Sequence, residues 1–421
     1  VRHSIKWCDD AANAAPEERA TVASLQLFVG GLNVTQHLAA GEAFDHVTVS
    51  LYSLAHGLAH DWWTIFGVRD RTISLTRYRT GYLLPDLRFG FDGAAFEMQA
   101  HQCVYQQPDV RFWAGPSEVF GRAEGEACLS SLIEDVLLRL RQRGLPATSA
   151  ALRWQRVMAS RRSEEEAIFC EAAGSLGLDP YQIDEATADF IEKAETLFER
   201  EALVEFVSGA GEVDRPALLR WVERMARGKG HQYRLANLRP IVDQTLRETP
   251  PTRDDRAWEI GYRRALGARK VLNLEQNTRF RSFRDIATRL GASKGYSLAP
   301  GVNGIRALRR DRGDGLHIHL RNHGDTKEAA AAHLFAFARA VGDACCFPEP
   351  QLGPITELRS AYRQAAGRAF AAEFLAPSDE IEAMRADRQD VVTIANEFAV
   401  SQQVIEHQIA NRDRIRAAAA D

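Results

Sequence analysis

The chain contains no run of about eighteen apolar residues, the length a membrane-crossing helix needs, so no span is predicted. Its opening segment, Val1-Arg2-His3-Ser4-Ile5-Lys6-Trp7, has no apolar signal-peptide centre, which makes a cytoplasmic address the default expectation. Cysteine is sparse and badly spaced for chemistry. The six residues are scattered apart from adjacent Cys345 and Cys346, and no Cys-x-x-Cys pair occurs. A zinc knuckle and a secreted disulfide scaffold are both excluded on that spacing, leaving reduced and mostly buried thiols. Strong charge of one sign is also missing. A formal net charge of −4 does not describe a polyanion binder at the level of the whole molecule. The loop Arg227-Gly228-Lys229-Gly230-His231-Gln232 has glycine and lysine but neither the Walker spacing nor a preceding strand, so it is not a phosphate-binding loop.

What is present fits an ordinary globular composition, 45% apolar and 26% charged over 421 residues, enough for two or three domains. In Ser24 to Val29 polar and apolar residues alternate before Gly30-Gly31, which predicts a strand entering a turn, partnered by Val47 to Leu51. Short alternating runs follow from Thr72 to Phe112, punctuated by Pro85-Asp86, Asp92-Gly93 and Pro108-Asp109. Leu129, Leu132, Ile133, Val136, Leu137 and Leu140 then mark one face of a long helix over 124–144. These patterns predict an α+β domain over 1–145, a small antiparallel sheet packed against helices. Residues 146–250 read as a helical middle region. Ser163 is its clearest N-cap, followed by an acidic first turn, and an acidic helix is expected over 185–200. Thr249-Pro250-Pro251-Thr252 is the strongest linker signal, and 251–421 reads as a mainly helical domain with a small sheet.

Three groups of residues invite chemistry. His56 and His60 share a helix face one turn apart, where a metal clamp is conceivable, although the Trp62-Trp63 pair and leucine spacing already explain that helix as core. His317 and His319 fall on one face of a predicted strand, with His323 and His333 close in sequence; a zinc site could be assembled from these four, while two polar residues facing solvent would need no metal. Between Arg253 and Arg312 there are fifteen Arg or Lys against six Asp or Glu. Arg279, Arg281, Arg284, Arg306, Arg309 and Arg310 could form a basic surface for nucleic acid or an acidic partner, or a solvated face of a compact domain.

The stretch from Lys327 to Pro377 reads as two helices rich in Ala, Leu and Phe. With Gly261 to Leu266, Asp285 to Gly291, Leu316 to Leu320, Phe370 to Pro377 and Ile394 to Ser401, it resembles in order the ImmA/IrrE family of bacterial regulatory metallopeptidase-like proteins. The resemblance implies a zincin-like C-terminal domain ending in a helix-turn-helix-like segment. A working member would carry His-Glu-x-x-His on the first helix, two zinc ligands with a glutamate to handle the proton of bound water. Here His333 is followed by Leu334, with Phe337 in the second His position, and the acidic third ligand is replaced by Gln364. Too few ligands remain for hydrolytic zinc. The expectation is therefore a non-catalytic regulatory protein with no cofactor and a protein partner, of the kind the family meets in stress, mobile-element or toxin-antitoxin-like systems. Two alternatives stay open: a zinc peptidase using substitute ligands with Glu328 or Glu373 as base, and a nucleic-acid-associated regulator using the arginine-rich segment.

Overall fold

The computed structural model describes residues 2–8, 14–106, 109–228, 233–250, 256–292, 298–312, 315–349 and 352–418. Pro108, the Lys229–Gln232 part of the glycine loop, and Pro251 to Asp255, which begin at the second linker proline, lie outside them. The chain forms two compact units, Val1–Ile191 and Glu192–Asp421, and the division falls inside the stretch read as a helical middle region. The class is α+β: a mixed sheet-and-helix N-terminal region, a helical middle, and a mostly helical C-terminal region with a small sheet. No helix among the described residues is long and apolar enough to cross a membrane.

In the first unit the described strands form three four-stranded sheets. The strand Val22–Val29 pairs antiparallel with Val47–Ser50, Leu25 opposite Val47, and its Gly30-Gly31 exit adopts the positive φ angles that glycine tolerates. Asp92-Gly93 joins Asp86–Phe91 to Ala95–His101 as a hairpin, the Asp92 carboxylate accepting the Ala94 and Ala95 backbone N–H groups. The long helix spans Arg122–Gln142 and buries the six apolar residues that its spacing indicated. Ser163 caps Glu164–Ser175 by accepting the Glu166 N–H at 3.3 Å. The expected acidic helix ends early, at Glu195, and a new helix starts at Arg200 and runs to Gly209.

The second unit is built on a four-stranded antiparallel sheet whose spatial order is Tyr233–Leu235, Gly315–Leu320, Ile305–Arg312 and Leu352–Thr356. The central helix Lys327–Cys346 packs on one face. Leu316, Ile318 and Leu320 join Leu334, Phe337 and Val341 of that helix in one hydrophobic core. On the opposite face lies the helix Arg215–Ala226, whose Ala226 carbonyl accepts a hydrogen bond from Arg310 Nη1 at 3.2 Å. A second long helix, Tyr362–Leu375, runs against the central one at close range. A Cβ on Gly342 would come within 2.6 Å of the Phe370 ring, so this crossing depends on a residue with no side chain.

Candidate functional site

His333 begins a local arrangement of its own. Its Nε2 accepts the His323 backbone N–H at 2.8 Å, and its ring meets Phe283 edge-on at 6.2 Å. Leu334 and Phe337 are fully buried, Phe337 against Phe283 at 5.8 Å, so the position where the resemblance would put a second ligand beside His333 is filled with hydrocarbon. The His323 ring lies 5.1 Å from that of His333. Arg306 and Arg321 donate to His323 Nδ1 at 3.2 and 3.3 Å, because a guanidinium has only donors to offer. Burial, and then these arginines, push His323 down to about 3, while burial also lowers His333. Both imidazoles are neutral at pH 7, with the ring nitrogens described here already accepting hydrogen bonds.

The four-histidine zinc site is not assembled. His317 and His319 do share a face, but strand alternation turns it away from Leu316, Ile318 and Leu320, and therefore away from the helix that carries His333. The sheet separates the pairs. Nor do they face solvent: both are buried, on the face where the Arg215–Ala226 helix packs against the neighbouring strand Ile305–Arg312. In the first unit His56 and His60 sit on one face with ring centroids 6.5 Å apart; His60 Nδ1 already pairs with Asp61 at 3.0 Å, and Arg153 binds the second nearby acid, Asp179, at 2.9 Å while donating to the His60 carbonyl. Among the described residues no group of three or more His, Cys, Asp or Glu stands close enough to hold a metal ion.

The arginines also separate. Alternation along Ile305–Arg312 sends Arg309 under the central helix and Arg310 to the opposite face, both buried, so neither belongs to a surface. Arg279 pairs with Glu380 at 2.8 Å and stacks on Phe398. Arg306 pairs with Glu357 at 2.9 Å, and only Arg281 and Arg284 of the six are well exposed. The helix-turn-helix proportions do exist, as Val391–Phe398, a left-handed Ala399, and Gln402–Ala418.

What the second unit does bring together is a buried polar cluster around Gln364. Arg339 Nη2 donates to Gln364 Oε1 at 2.8 Å, and Gln364 Nε2 donates to Glu205 Oε2 at 2.7 Å. Asp343, one helical turn after Arg339 and so on the same helix face, is held by Arg363 through both carboxylate oxygens at 2.5 and 2.8 Å. Arg309 Nε adds a third contact to Asp343 at 2.9 Å. Gly353 on the neighbouring strand leaves the space for this, since a Cβ there would fall 2.6 Å from Asp343 Oδ2. No known protein family, curated protein or solved structure matches this chain.

The electrostatics follow from burial and pairing. Burial alone would push Asp343 up, but Arg363 and Arg309 outweigh it and hold the carboxyl below its usual range. Glu205, wholly buried and only partly compensated by Arg363 and Gln364, is raised to about 7. Burial lowers Arg339, and neighbouring Arg368 and Arg306 lower it further. Three guanidinium groups therefore surround two carboxyls, one held low by its arginines and the other raised by burial. Such a site cannot take zinc, because arginine has no lone pair to give and both oxygens of Asp343 are committed to guanidinium N–H groups. Sequence reasoning singled out Gln364 but missed Arg339 and Asp343. Their signal was two charges one turn apart in the apolar run Ala-Phe-Ala-Arg-Ala-Val-Gly-Asp-Ala.

Proposed function

We propose that this chain is a non-catalytic regulatory protein that works by binding a protein partner, built on a degenerate ImmA/IrrE-like metallopeptidase scaffold. This reading moves the motif six residues along the central helix from the expected His333, Leu334 and Phe337, so that Arg339 and Asp343 stand where the two histidines of His-Glu-x-x-His would stand, and Gln364 stands for the third, acidic ligand. The position of the catalytic glutamate is then Ala340. One observation carries the proposal: residues i and i+4 of the central helix share a buried polar cluster with Gln364, and that cluster is closed by arginine. A guanidinium supplies the positive charge that a metal would, fixes the two helices and the sheet to each other, and activates no water. Glu328 and Glu373 do not restore a base. Glu328 is exposed at the start of the central helix, and Glu373 accepts the Ser378 N–H and a Gln408 amide at 3.0 and 2.9 Å, fastening the next helices instead.

The test is a thermal unfolding series on the full chain with added zinc chloride and, separately, with a strong chelator. A ligand bound at a hundred times its Kd adds about 2.7 kcal/mol of stability. The proposal expects unchanged melting temperatures in both arms. A rise with zinc that the chelator reverses would overturn it.

A further inference from the structure

The second unit holds an open groove of about 740 Å³ directly above Arg339. One wall is the central helix and Tyr362–Leu375, and the other is the helix pair Val391–Phe398 and Gln402–Ala418. Neither His333 nor Phe337 lines it; the central helix contributes its opposite face, from Lys327 to Arg339. Twelve steps along the helix at 1.5 Å each give it a length of about 18 Å, three helical turns or five extended residues. A single small anion would leave most of that empty.

The groove is chemically polarised. Its floor is small and apolar, with Ala332, Ala365 and Ala369, and Phe335 and Val392 are left partly open to solvent. At one end Arg306, Arg339, Arg359 and Arg368 converge, while Glu328 is the carboxylate on the lining and lies at the other. Lys327 Nζ bridges that far end to Asn396 Oδ1 at 2.8 Å. Arg339 makes its two hydrogen bonds through Nη2, to Gln364 and to the Thr356 carbonyl, and its buried Nε has no partner among the described residues. The cationic end already accepts a carboxylate from this chain, since Glu357 sits on Arg306 at 2.9 Å.

We infer that this groove is the docking site for a carboxylate-bearing peptide segment of the partner, its apolar side chains on the alanine floor and its acidic group at the Arg306, Arg339 and Arg368 end. Binding works by charge complementarity at one end and by burial along the rest. A carboxylate there also relieves the mutual repulsion of the arginines. The inference rests on the proposed partner-binding role and names the chemistry of that partner.

The experiment pans a phage-displayed random dodecapeptide library against the immobilised full chain, then measures the enriched peptide, fluorescein-labelled, by anisotropy. Enriched sequences are expected to combine Asp or Glu with large apolar residues. Ala332→Trp, which fills the groove, should weaken binding at least tenfold, while Ala330→Trp on the exposed side of the same helix should not. Replacing the peptide's Asp and Glu by Asn and Gln should cost at least tenfold, a comparison that needs no protein variant to fold. No enrichment, enrichment without carboxylates, or equal binding to both tryptophan variants overturns the inference. Its failure is separable from that of the functional proposal, because the zinc and chelator series reads the metal and not the peptide.

Discussion

Asp343 is the residue on which the cluster turns. Removing it leaves the Arg309 and Arg363 guanidinium groups buried without their shared counter-charge. Breaking a buried ion pair from one side costs about 3–5 kcal/mol, so Asp343→Ala should lose stability of that order in urea unfolding. A loss under about 1 kcal/mol, the size of an exposed pair, would show that water reaches the cluster. Glu373 offers a second test with a defined sign. Burial raises its carboxyl to about 7, above the 4.5 of an unconstrained glutamate. The folded state thus holds the proton more tightly, and this contribution is full below pH 4.5 and lost as pH rises through 7. Glu373→Gln mimics the protonated form and keeps an acceptor for the Ser378 N–H. Its melting temperature should exceed that of the parent at pH 8, and the difference should shrink by pH 5. An equal difference at both pH values would contradict the assignment.

Among the elements, the turn between the last two helices carries strain that can be measured. Ala399 adopts φ 54° at the end of Val391–Phe398, where a side chain is disfavoured by about 1–2 kcal/mol. Ala399→Gly should raise stability by about 1 kcal/mol in denaturant titration, and destabilisation would mean that the methyl group packs more than it strains. Gly342→Ala should do the reverse, forcing the Phe370 ring away and costing about 1–3 kcal/mol. The helices themselves were legible in the sequence because they are local: the leucines of Arg122–Gln142 and the alanine-rich runs of Lys327–Cys346 repeat at the helical period. The strand alternation correctly placed His317 and His319 together. It could not say which face of the sheet would be covered, since that depends on the helix Arg215–Ala226, about a hundred residues earlier.

For the molecule as a whole, the same contrast separates what was readable from what was not. Composition and periodicity gave the α+β class, but the candidate site depends on contacts with no local signal. The Gln364–Glu205 hydrogen bond joins residues 159 apart, and strand Tyr233–Leu235 pairs with Gly315–Leu320 across the proline-marked linker. Histidines drew attention to His333 because imidazole is the usual zinc ligand, while the fold puts its polar centre six residues further on, at Arg339. In the proposed function, arginine takes the place of a metal in this unit. Elemental analysis of the full chain, purified without chelator or metal-affinity resin and equilibrated with zinc before dialysis, tests it most directly. Less than about one zinc per ten chains is the expected result; one zinc per chain, lost on replacing Asp343 or Gln364, would contradict it.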